Sequence, residues 1–176
     1  MKKILTLFAV VGLIVFSSCE GPEGPPGPPG YDGLIGEVFQ LTNVNFDYNA
    51  QDGFNINRAL NPLLYKDDVI LIYRKIGVIT STNAPIWEQI PKTIYVSQGR
   101  LTYDFEFSNS HFIIYAEGNY DLELTPTFLD NQTFRIVIVP GSATGTAKSV
   151  KKEDYSDYNA VIKKYNIDDS KVKILN

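Results

Sequence analysis

Leu101-Thr102-Tyr103-Asp104-Phe105-Glu106-Phe107 alternates without a break, apolar at odd positions and polar at even ones. That period of two is what a β-strand needs when one face lies on a core and the other in water. Ser97-Gln98-Gly99-Arg100 before it and Ser108-Asn109-Ser110 after it carry turn chemistry, so the stretch reads as the middle of a run of hairpins. Working outward, Val69-Ile70-Leu71-Ile72-Tyr73 and Ile136-Val137-Ile138-Val139 are nearly continuous apolar runs, which suit central strands covered on both faces. Residues rich in Val, Ile, Tyr, Phe and Thr, divided by Gly, Pro, Asn and Asp, predict strands over 37–47, 53–58, 68–76, 93–97, 100–108, 111–117, 120–124 and 133–139. Many short strands at regular spacing predict an all-β fold: an antiparallel β-sandwich, Ig-like or jelly-roll-like.

The end of the chain breaks the pattern. Tyr155, Tyr158, Val161, Ile162 and Tyr165 fall at helical spacing, Asp154 or Ser156 is placed to cap the start, and Lys163-Lys164 suit the C-terminal dipole. One amphipathic helix is expected near 154–165, packed on the sandwich and followed by a short strand at Val172–Leu175. The segment Gly141 to Ser149 is the expected loop before it.

The start of the chain is an address. Met1-Lys2-Lys3, an apolar run from Ile4 to Phe16 and the small Ser17-Ser18 before Cys19 are the parts of a secretory signal. The run is shorter than the about 20 residues that a transmembrane helix needs. Ser18-Cys19 resembles the bacterial lipoprotein box, in which the cysteine receives a diacylglyceryl thioether before cleavage. Phe16 departs from the leucine more usual three residues before that cysteine. The resemblance implies a signal peptide over 1–18 and acyl chains of the palmitate kind on Cys19. Cys19 is the only cysteine, so no intramolecular disulfide competes for it. Each buried methylene is worth about 0.8 kcal/mol, so several chains hold where one would be marginal.

Residues 21–38 read GPEGPPGPPGYDGLIGEV, with glycine at every third position from Gly21 to Gly36. That period belongs to collagen, where only hydrogen fits the axis of three polyproline II strands. Residues 19–36 are therefore expected to form a lipidated, collagen-like tether, and 37–176 the sandwich with its helix. As a stiff spacer the tract rises about 3.1 Å per residue. The alternative is a homotrimer wound through the same tract.

Charge narrows the partners. Removing Lys2 and Lys3 with the signal moves the formal charge from −4 to −6, and residues 20–140 hold fifteen Asp/Glu against seven Lys/Arg. An acidic body argues against nucleic acid, whose phosphates need clustered basic charge. The partners expected are a membrane, through lipid on Cys19, and a protein or a glycan.

Catalytic chemistry is hard to assemble. His111 is the only histidine, no nucleophile-elbow pattern occurs, and transition-metal sites need several His or Cys ligands. Asp104 and Glu106 share one strand face, as glycosidase carboxylates could, but alternation already accounts for them. Asp47 to Gly53 spaces oxygen ligands like a calcium loop, yet Asp52 sits where the sixth-position glycine belongs and Arg58 replaces the closing glutamate. A strand end running into an Asp-Gly turn is the simpler reading. No enzyme, metal or cofactor is expected. Sugar-binding sandwiches display rows of rings, and tyrosines occur at 65, 73, 95, 103, 115 and 120, mostly at positions read as inward. Trp87, between Pro85 and Pro91 on an edge strand or loop, is the best single candidate for an exposed ligand contact.

The combination of this N-terminus with "IGEVF", "VILIYR", "WEQIP", "LTYDFEF" and "FRIVIVPG" resembles lipoproteins common in Bacteroidota. The resemblance implies a lipid-anchored place in the bacterial cell envelope, at the outer membrane, and carries no site residue; Glu20 and Glu23 resemble acidic surface-export signals, which implies outward display. The function expected is a non-enzymatic structural, adhesion or interaction role at the cell envelope. The second expectation is a glycan- or ligand-binding sandwich at the cell surface.

Overall fold

The computed structural model describes residues 36–141 and 154–175. The readings made for the signal segment, Cys19 and the glycine-period tract, and most of the loop after Gly141, lie outside the described residues. Ten strands follow in chain order: β1 (Glu37–Val44), β2 (Asp47–Asn49), β3 (Gly53–Ala59), β4 (Val69–Val78), β5 (Pro85–Ile90), β6 (Lys92–Val96), β7 (Gly99–Phe107), β8 (His111–Gly118), β9 (Gln132–Val139) and β10 (Lys173–Leu175). They form two five-stranded sheets, ordered β10-β1-β9-β4-β5 and β2-β3-β8-β7-β6. Every pairing is antiparallel except that of β1 with β10.

The alternating stretch lies in β7, paired with β8 so that Leu101, Tyr103 and Phe105 face the same way as Gly118, Ala116 and Ile114. Leu101 and Tyr103 are fully buried, whereas Asp104 and Glu106 are exposed. The core between the sheets joins Phe39, Leu41, Ile72, Phe134 and Ile136 to Ile56, Leu101, Tyr103, Phe112 and Ile114. β9 is the central strand of its sheet and β4 its neighbour, and both bury residues on both faces. Their second face is covered by the C-terminal segment: Tyr158, Val161 and Ile167 lie over Val38, Leu71, Tyr73, Val137 and Val139. That double cover is why these two strands read as continuous apolar runs.

The helix α1 spans Tyr158–Lys164, with Lys163 and Lys164 in its last turn. Its cap is Asp157, whose side chain accepts the N–H groups of Asn159 and Ala160, and not Asp154 or Ser156. Asp154 Oδ1 instead accepts the Ser156 N–H, a local turn that delays the first helical residue. The strand expected over 120–124 is absent. Leu122–Leu124 forms a 3₁₀ turn, because Asp121 accepts the Glu123 N–H and caps it. The strand expected over 37–47 is interrupted after Val44, where the Phe46 N–H turns to the Leu129 carbonyl. Residues 85–90 form an edge strand, a position where a leading proline is tolerated.

Gly99 opens β7 with φ +151°, and a Cβ there would lie 2.3 Å from Asn119 Oδ1. That oxygen accepts the Arg100 N–H at 2.7 Å. Gly99→Ala is therefore expected to lower stability by about 1–3 kcal/mol, measured as a reduced urea midpoint at unchanged slope.

Candidate functional site

Trp87 is placed on β5 across from Lys75. Its indole is half-buried and does not stand alone. The Arg135 guanidinium lies 4.7 Å from its ring centroid and 5.0 Å from that of Tyr158, and the two rings are 5.8 Å apart. Arg135 comes from β9, so the cation sits on the central strand with an aromatic ring from the sheet edge and another from α1. Arg135 Nη1 donates to Tyr158 Oη and to Asp169 Oδ2, the latter at 3.2 Å, and Nε donates to Gln40 Oε1 at 3.3 Å. Tyr158 Oη donates to Asp169 Oδ2 at 3.0 Å. Tyr73 Oη donates to the Tyr155 carbonyl at 2.7 Å. Burial pushes the Tyr158 phenol well above its ordinary range, although Arg135 pulls the other way. The cluster is a clasp that seats the C-terminal segment, and the structure puts the candidate ligand residue inside it.

The other tyrosines separate. Tyr73 and Tyr103 are fully buried, Tyr120 is half-buried, and Tyr65 and Tyr95 are 71% and 81% exposed. Tyr73 and Tyr103 thus fit the inward reading, whereas Tyr65 and Tyr95 do not. Tyr115 lies on the open face of the second sheet, opposite Asn55 on one side and Asp104 on the other. Its hydroxyl donates to Glu106 Oε1 at 2.8 Å. Partial desolvation, then that bond to a carboxylate, pushes the phenol up to about 12. Thr93 and Thr102 pair across the same sheet at 2.9 Å. This face offers carboxylates, hydroxyls and the rings of Tyr115 and Tyr95 to water, while the outer face of the first sheet is closed by α1.

Asp104 and Glu106 are both on the open face and both engaged. Asp104 Oδ1 accepts the Phe105 N–H at 2.8 Å, and Glu106 takes the Tyr115 hydroxyl. His111 Nδ1 meets Ser108 Oγ at 2.8 Å in the turn between β7 and β8. The same Oγ accepts the N–H groups of Ser110 and His111, so the serine builds the turn. In the Asp47–Gly53 hairpin, Asn49 Oδ1 accepts the N–H groups of Gln51 and Asp52, at 3.0 and 2.7 Å. An oxygen expected of a calcium loop is thereby engaged in closing the turn, with Gly53 at φ +69°. Among the described residues, no three His, Cys, Asp or Glu side chains are grouped to hold a metal ion, and no helix is long and apolar enough to cross a membrane.

No protein-family model, no curated protein and no solved structure matches the chain.

Proposed function

We propose that this chain is a lipid-anchored protein of the bacterial cell envelope, held through acyl chains on Cys19 and acting in structure, adhesion or interaction, without catalysis. The observation that carries the reading is one juxtaposition in sequence. The only cysteine follows a short apolar run and precedes a tract with glycine at every third residue, which leads directly into the first strand. A thiol in that position is consumed by lipidation, and a glycine-proline tract is a spacer. The outer membrane and outward display follow from the same resemblance, as does assembly into trimers if three tracts wind together.

Within the sandwich class, the jelly-roll-like arrangement is the closer of the two. Its support is nesting: β9 lies beside β1 in one sheet while β8 lies beside β3 in the other. The β4–β5 hairpin and the β6-β7-β8 run depart from that scheme.

The glycan-binding alternative is favoured by one feature, the open face of Tyr115, Asn55, Asp104 and Glu106. With its indole against Arg135 and Tyr158, Trp87 is a weaker anchor for it than its sequence position implied.

In the native organism, Cys19→Ala is expected to move the protein from the membrane to the soluble fraction and to abolish palmitate labelling. Membrane retention of the unlabelled variant, with no acyl mass on the parent's N-terminal peptide, would overturn the anchor. Protease shaving of intact cells then decides between outward and periplasmic display.

A further inference from the structure

The glycine period and the sandwich share a residue. Gly36 is the last glycine of the every-third run, and β1 starts at Glu37. Gly36 is buried, and a Cβ there would lie 2.6 Å from the Ile167 side chain and 3.0 Å from the Ile138 carbonyl oxygen. The sandwich thus grips the chain where the period stops, with no slack residue between. Three tracts wound on one axis would bring three sandwiches to that axis by the same end, within touching distance.

That end presents apolar groups. Glu37 pairs with Ile138, which pairs with Ile70. The loop from Leu60 to Asp68 lies at the same end: a Cβ on Gly141 would lie 2.4 Å from Asp67, and the Gly141 N–H donates to Asp68 Oδ1 at 3.2 Å. Leu60 and Leu64 are buried, and the Leu64 N–H on the Asn109 carbonyl holds the loop to the turn between β7 and β8. Leu63 and Tyr65, on either side of Leu64, are 59% and 71% exposed, and Phe107, just before that turn, is 42% exposed. Residues 60–65 carry no charge. Apolar groups left in water gain nothing within the chain, so the cluster points to a contact outside it.

Charge selects a second copy as that contact. The open face of the second sheet carries Asp104, Glu106 and Glu117, and two such faces repel each other. The tether end is balanced instead. Glu37 is paired with Lys173 at 2.7 Å, and Lys66 and Arg58 stand there with Asp67 and Asp68. Arg58 donates to the Asn57 carbonyl, its Nε is buried without a partner, and it meets no carboxylate among the described residues. A copy of this chain therefore approaches by the tether end without net repulsion and offers Arg58 the acid of a neighbour. A bilayer fits less well, since a tract rising about 3.1 Å per residue holds this end about 50 Å from the lipid.

We propose that the tether end is the contact between copies of this chain: three sandwiches meet around the tract, with Leu63, Tyr65 and Phe107 of each packed on its neighbours. The contact rests on the winding of three tracts and supplies the protein surface that winding alone does not specify.

Both cores lie within residues 38–167, so a chain beginning at residue 20 keeps them, and it carries no cysteine. Leu63→Cys places one at the tether end, and Thr80→Cys places one beyond Val78 at the far end of β4, both at exposed positions. A short bis-maleimide is expected to join copies through residue 63 and to leave the residue 80 variant as single chains. In sedimentation the parent is expected to form trimers, and the double variant Leu63→Ser with Tyr65→Ser to associate at least about tenfold more weakly, with an unchanged circular dichroism spectrum. A parent that is monomeric at every concentration overturns the winding and the contact together. Trimers of equal strength in parent and double variant leave the winding standing and overturn the contact, as does joining through residue 80 as readily as through residue 63. Protection of the residue 63 thiol by phospholipid vesicles, without joining of copies, overturns it in favour of a bilayer.

Discussion

Tyr158→Ala is expected to lower stability by about 3–5 kcal/mol and to release the C-terminal segment from the sheet. Tyr158 is 4% exposed, and its ring meets Tyr73 edge-on at 5.2 Å. It also lies 5.8 Å from Trp87 and under the Arg135 guanidinium. Truncation removes a large buried ring and leaves Arg135 and Asp169 with one partner fewer in a half-dry site. Val161 and Ile167 then remain as its buried side chains, with Tyr155, Ile162, Tyr165 and Val172 partly buried beside them, the Tyr73 bond to the Tyr155 carbonyl and the three-residue β10. A helix of seven residues has little stability away from its packing surface. The variant is therefore expected to show early protease cuts within 154–175 and a red shift of Trp87 emission, below the denaturant range that unfolds the sandwich. Tyr158→Phe keeps the ring and loses its hydroxyl bonds with Arg135 and Asp169, for about 1–3 kcal/mol. Equal losses in the two variants would show that the ring packing is not what holds the segment.

The parts of this fold that were legible in sequence are those where burial writes a local period. Leu101 to Phe107 alternates because β7 has one wet face, and β4 and β9 read as unbroken apolar runs because sheet and helix cover them from opposite sides. Tyr120, Leu122 and Leu124 alternate just as well, yet no strand forms there. Asn119 Oδ1 accepts the Arg100 N–H and Asp121 caps the following turn, so local hydrogen bonding overrides the period. The surroundings of Trp87 are not legible in sequence, for a different reason. Its exposure is set by Arg135 and Tyr158, far along the chain, and no local pattern announces a cation held between two rings. The far ends of β4 and β5 are not legible because the apolar run predicts a strand that stops at residue 76, while β4 continues to Val78 and β5 returns to meet it. The lipoprotein box proposed at Cys19 is the reverse case, since such a motif is local and is read without any fold.

Raising the pH from 10 to 11 is expected to remove about 3 kcal/mol of folding stability, about 1 kcal/mol for each of three buried tyrosines. Tyr73 and Tyr103 are 0% exposed and Tyr158 is 4% exposed. Burial is the leading reason that each phenol is raised well above its ordinary range. Charge repulsion from a Tyr158 phenolate adds to it at Tyr73, while Arg74 opposes it at Tyr103 and Arg135 opposes it at Tyr158. A raised folded-state value means that the folded chain keeps these protons while the unfolded chain, titrating near 10, loses them. Stability from these groups is therefore whole below pH about 10 and falls as pH climbs toward the folded values, each tyrosine approaching about 1.4 kcal/mol per unit. Against a total of about 5–15 kcal/mol for a domain, such a loss is large. Urea midpoints should stay level up to pH about 9.5 and then drop steeply. Tyr103→Phe should remove about a third of that slope, even though it also gives up the 2.7 Å bond from its hydroxyl to the Phe128 carbonyl, because that bond contributes nearly the same amount at every pH below the folded value. Midpoints equal at pH 9 and pH 11 would mean that these phenols ionise in place, and that water reaches both cores.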